Sequence, residues 1–202
     1  MLSTLVSQQG GCNLSVNMAS PKTSQILDNL YGTCRVPGPV DTCERLLRPG
    51  SWFKLDEAGA QALKELSGLA RGDFYLSHCL YSEFTVLWLI DRHGDLLIAL
   101  EEALSDFDQN NPEVAKKYPL PRFLPWRALG IPRLGHPALV LGGEGRIGGE
   151  LDYKSEPGGG KWYLSNKSGR FGIGSDRSQE HLEHVAKIFR RHGIDVTTYF
   201  LR

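Results

Sequence analysis

The stretch from His136 to Phe200 constrains the fold most, because it sets two glycine-separated strand runs directly ahead of one amphipathic helix. In that helix Leu182, Val185, Ala186 and Phe189 recur on one face, Ser178 stands at the N-cap position and Gly193 supplies the stop. Before it, His136 to Leu141 reads as a strand, Gly142 to Gly145 as a tight turn and Arg146 to Tyr153 as the return strand. A second turn at Gly158 to Gly160 leads into a strand from Lys161 to Ser165. The loop Asn166 to Gly174 then precedes the helix, and Ile194 to Phe200 alternates as a last strand. Hairpins that bury one face need a helix laid against them. The expected class is therefore α+β: an antiparallel sheet of hairpins with helices packed on it.

The upstream half agrees. Ala62, Leu63, Leu66, Leu69 and Ala70 predict an amphipathic helix after residue 56, with Asp56 as its cap. Tyr75 to Leu80 reads as a strand, and Glu83 to Ile90 as a central strand buried on both faces. The turn Asp91 to Asp95 returns the chain through Leu96 to Leu100. Short helices are expected at Ser24 to Tyr31 and from Asp41 to Leu47, the second ended by Pro49-Gly50. Residues 101–118 read as a loop with one helical turn near Glu113. Pro119, Pro121, Pro125 and Pro132 predict that 118–135 wraps the surface, pinned by Phe123 and Trp126. A chain of 202 residues suits one core. The expected organisation is a flexible leader over 1–23 and a single α+β domain over 24–202, with a Pro-rich insertion at about 101–135.

Composition removes several function classes. Lys plus Arg and Asp plus Glu each total 23, so no basic footprint for nucleic acid exists. The longest apolar run, Phe84 to Ile90, is strand-sized, and no membrane span is expected. The four cysteines form no C-x-x-C pair and no finger spacing, and no phosphate-loop or nucleophile-elbow motif occurs, so neither metal nor cofactor is expected. The N-terminal twenty residues lack the pattern of a cleaved secretory signal. Their Ser, Gln and Asn suit an uncleaved export signal or a solvated tail.

Two constellations could carry chemistry. The order Cys, His, Asn is available through Cys34 or Cys43, His136 and Asn166, the order of papain-like thiol enzymes, although neither cysteine has the flanking glycine and tryptophan of that class. The second is Asn166-Lys167-Ser168-Gly169-Arg170, which unites an amide, a hydroxyl and a guanidinium near a helix start. Arg170 forks a carboxylate or phosphate, so Asn166, Ser168 and Arg170 are candidate substrate-binding residues, with His136 or Glu150 as a base. A turn stabilised by its own hydrogen bonds is the plainer account of the same residues. His181, His184 and His192 have no carboxylate partner in sequence and read as surface groups.

The order His136-Pro-Ala-Leu, Gly142-Gly143, Gly149-Glu150-Leu151, Ser168-Gly169-Arg170-Phe171 and the helix ending at Gly193-Ile194 resembles a known C-terminal domain. That domain is shared by plant IQ-motif calmodulin-binding proteins and bacterial toxin- or effector-like proteins, and the likeness covers roughly residues 84–196. Relatives carry His-Ser where this chain has His136-Pro137, and Ser-Gly-His-Tyr where it has Ser168 to Phe171. Arg170 thus replaces a histidine and cannot act as a base, because Arg stays protonated. No IQ segment occurs, so calmodulin binding is not implied. The resemblance implies an effector- or toxin-type domain, exported without a cleaved signal and acting in a target cell. Such a domain would be a transferase or hydrolase on a phosphate-bearing substrate, or a non-catalytic module that binds a host protein; a chain that is not exported would stay in the cytoplasm.

Overall fold

The computed structural model describes residues 21–71, 84–154 and 160–202, and it is α+β. Helices α1 (Pro21–Tyr31) and α2 (Thr42–Leu46) precede strand β1 (Phe53–Lys54) and helix α3 (Glu57–Arg71). Then follow β2 (Val86–Asp91), β3 (Leu96–Leu100), β4 (Glu102–Ser105), β5 (Lys116–Pro119) and β6 (Arg133–Leu134). Strands β7 (Gly145–Lys154) and β8 (Lys161–Ser165), helix α4 (Gln179–Arg191) and strand β9 (Val196–Tyr199) complete the chain. The six-stranded sheet has the order β1-β3-β2-β7-β8-β9. Every pair in it is antiparallel except β8 with β9, which run parallel because α4 carries the chain back between them.

Both faces of β2 are covered, as its unbroken apolar run requires. Val86, Trp88 and Ile90 face a large core closed by α4 through Leu182, Val185, Ala186 and Phe189, and by α3 through Ala60 and Leu63. Leu87 and Leu89 face a smaller core with Leu97, Ala99, Leu139 and Phe171. The expected caps are in place: Asp56 Oδ1 accepts the Gly59 amide at 2.9 Å, and Ser178 Oγ accepts the His181 amide at 3.3 Å. The expected strand at Tyr75 to Leu80, the first twenty residues of the expected 1–23 leader and the turn glycines 158 and 159 lie outside the described residues, while residues 21–23 open helix α1.

Three expectations are corrected. His136–Val140 is a 3-10 helix, not a strand: Pro137 sits in its first turn, where a missing N–H costs nothing, and Ala138 and Leu139 point into the cores. Strand β7 therefore pairs with β2 and β8 rather than with that segment. The insertion is not a surface wrap but a second sheet of order β5-β4-β6, in which Glu102 pairs with Pro119 and Leu134. Its strands are short, and Pro119 ends an edge strand, where a lost donor is harmless. Phe123 does not pin the segment; it is 72% exposed. Trp126 is half-buried, with the Arg133 guanidinium 3.9 Å and that of Arg127 4.9 Å from its ring centre. Cys43, Leu47, Leu104, Leu134 and Ala138 form a satellite core that ties this sheet to α2 and the 3-10 helix.

Candidate functional site

His136, Glu150, Asn166, Ser168 and Arg170 lie where the 3-10 helix, β7 and the loop after β8 meet, and the structure gives each a defined partner. Arg170 Nη1 donates to Glu44 Oε2 at 2.6 Å. Glu44 is 1% exposed on α2, and its carboxylate also accepts the Asp41 amide and the Gly135 amide, both at 3.2 Å. Glu150 accepts from Lys167 Nζ at 2.9 Å. Arg133, from β6, is bound to Glu101. Three cations thus meet three carboxylates.

Asn166 is fully buried and spent on backbone. Its Nδ2 donates to the carbonyls of Gly172 and Leu201, each at 2.9 Å, while its Oδ1 accepts the Leu201 amide at 2.6 Å. The Ser168 hydroxyl accepts the Phe171 amide at 3.3 Å. Both side chains shape the loop and reach no open surface. His136 Nε2 lies 2.9 Å from the Gly149 carbonyl, which can only accept, so Nε2 carries the proton. Burial lowers the His136 pKa from 6.5 to about 4, against the opposing pull of the Gly149 carbonyl, and the charges of Arg133, Arg170 and Lys167 lower it further. The imidazole is therefore neutral at pH 7.

This depression makes folding pH-dependent. The unfolded imidazole binds a proton that the folded one refuses, so stability is complete above pH 6.5 and is lost as pH falls towards 4. At 1.36 kcal/mol per pKa unit the window holds about 3 kcal/mol. Urea unfolding across it should show that loss in the wild type and a smaller one in His136→Gln, whose amide can still donate to Gly149. Equal slopes would remove His136 as the source.

Neither thiol is prepared as a nucleophile. Burial raises the Cys34 and Cys43 pKa values, and Glu44 and Asp41 raise that of Cys43 further. Cys43 packs in the satellite core with Sγ 3.5 Å from the Arg133 carbonyl, and Asn166 faces Leu201 and Gly172 rather than His136. Among the described residues no group of three or more His, Cys, Asp or Glu is placed to hold a metal, and no helix is long and apolar enough to cross a membrane.

Comparison with protein-family models, curated proteins and solved structures finds no match.

Sequence reasoning missed several charged groups of structural weight. Glu44 follows Asp41 by three residues, the spacing of a capping box, and that signal marks it as a helix-start group. Glu102 is 4% exposed and accepts the Gly50 and Ser51 amides at 2.7 and 2.9 Å. Arg177 is 5% exposed and binds the carbonyls of Phe171 at 3.1 Å and Thr33 at 2.8 Å, with Asp176 beside it. Desolvation lowers its pKa to about 10, which still leaves it charged. The helix histidines also have tasks: His181 Nδ1 accepts the Ser178 amide at 3.3 Å, and His184 Nδ1 meets the Leu30 carbonyl at 3.0 Å, joining α4 to α1.

Proposed function

We propose that this chain is an effector- or toxin-type domain that works by binding a protein of its target cell, rather than by transfer or hydrolysis at a phosphate-bearing substrate. The observation that carries the reading is that four of the ten exposed large apolar side chains among the described residues lie in the insertion. Val114, Tyr118, Phe123 and Leu129 are 50%, 51%, 72% and 58% exposed. Exposed apolar groups gathered in one segment mark interaction surfaces, and aromatics supply much of the energy there. The insertion holds them on a firm base. Leu120 is buried, Pro121 bridges Phe84, and Arg122 Nε donates to the Phe84 carbonyl at 3.1 Å while its guanidinium pairs with Asp152.

The ionic cluster around His136 supports the same choice. Each of its cations already has a carboxylate, so a phosphate would have to displace Glu44, Glu150 or Glu101 to reach one. The setting, export without a cleaved signal and action in a target cell, rests on the likeness of residues 84–196 to toxin- and effector-like domains.

Expression inside a host cell tests the proposal. The wild type should impair growth, His136→Gln should impair it equally, and the Phe123→Ser, Leu129→Ser double variant should lose the effect while keeping its circular dichroism. Loss in His136→Gln with the double variant still active would replace recognition by catalysis.

A further inference from the structure

On the large-core face of the six-stranded sheet a cavity of about 360 Å³ opens between the sheet and the first turns of α3. That is room for about a dozen waters at ~30 Å³ each, and within the usual range of small-molecule sites. Its floor is Val86, Ile98 and Leu151, and its walls include Phe53, Leu63 and Trp162. No charged side chain is among the described lining residues.

The polar groups on its wall decide what it can take. Ser51 Oγ is occupied, donating to Glu102 Oε1 at 2.6 Å and accepting the Leu100 amide at 2.9 Å. The Tyr153 hydroxyl is different. Tyr153 lines the cavity, is 8% exposed and holds its ring edge-on to Trp162 with centres 5.0 Å apart, yet its buried hydroxyl has no hydrogen-bond partner. The hydroxyl end lies over Gly160, at the β8 end of the site, where no other side chain would fit. The oxygen is shielded from the cavity, so neither polar group is open to a ligand.

We propose that this cavity binds a neutral, mainly hydrocarbon molecule, held by its apolar lining. A carboxylate or phosphate does not suit it, because no cation stands among the described lining residues to pair with one. Most of its lining belongs to the large core, on the face of the sheet away from Leu139 and Phe171, and the insertion reaches it through Pro119.

Titration of the full chain with the neutral dye N-phenyl-1-naphthylamine, followed by its fluorescence, tests the site. The wild type should bind saturably with one dye per chain. Ala62 is exposed at the rim, so Ala62→Trp should fold normally, fill the mouth and weaken binding at least tenfold. Failure of the wild type to saturate would overturn the proposal. Wild-type affinity in Ala62→Trp, with circular dichroism unchanged, would overturn it equally.

Discussion

A Gly149→Ala chain is expected to lose much of its stability at neutral pH, although it gains only a methyl group. Gly149 sits on β7 opposite Trp88, and a Cβ there would be driven into the Ser165 carbonyl oxygen and against the Asn166 Cα. Both obstacles are backbone, at the junction where β8 ends and the Asn166 loop begins, so no side chain can rotate away. Relief would require pulling β8 from β7. That would strain the bonds from Trp88 Nε1 to the Glu150 and Ser165 carbonyls, at 3.2 and 3.1 Å, and the His136 bond to Gly149. Overpacking relieved by rotamer changes costs about 1–3 kcal/mol; a clash with fixed backbone belongs above that, at roughly 4 kcal/mol or more. Such a loss consumes much of the 5–15 kcal/mol of a typical domain. Urea unfolding with far-ultraviolet circular dichroism reads it directly. A variant within about 1 kcal/mol of wild type would mean that the two strands do not approach this closely.

Glu44→Ala should cost about 3–5 kcal/mol, the range for removing one partner of a buried ion pair. The methyl group would leave the Arg170 guanidinium uncompensated and the Gly135 amide without its acceptor. Glu44→Gln should cost less, because its side-chain oxygen can still accept from a backbone amide. The pair Glu44→Ala and Arg170→Ala, measured singly and together, should couple by more than about 1 kcal/mol, as groups in contact do. Independent effects would show that Arg170 is held by something else. The result also bears on function: Arg170 as a structural clamp loses stability when removed, whereas Arg170 as a ligand-binding group loses activity from a stable fold.

Which parts of this architecture were legible in the sequence follows from how local their signals are. Strands β2 and β3 and helices α3 and α4 announce themselves because each buries a face within its own length, and Asp56 and Ser178 cap within three residues of where they stand. The run His136–Val140 failed as a strand because a five-residue, mainly apolar run carries no period that separates strand from helical turn, and Pro137 was the only local hint. Strands β4 and β5, with the sequences EALS and KKYP, have no strand-like pattern of their own; they exist because each completes the other's ladder and because Glu102 anchors on the turn at Gly50 and Ser51. The candidate site was found as a set of residues but misread as a set of functions. Arg170 and Asn166 look available in sequence, and their true partners, Glu44 and Leu201, are remote and carry no signal that links them.

The central pairing of the main sheet, Val86 with Leu151 and Trp88 with Gly149, joins segments separated by the whole 102–134 insertion. Closing a longer loop raises the entropic cost by only about 0.6 kcal/mol per doubling of its length. Non-local pairing is felt mainly in the rate of folding. The exposed part of the insertion around Phe123 and Leu129 can therefore grow, shrink or change sequence with little effect on the stability of the domain beneath it. That makes it the natural place to graft a foreign loop.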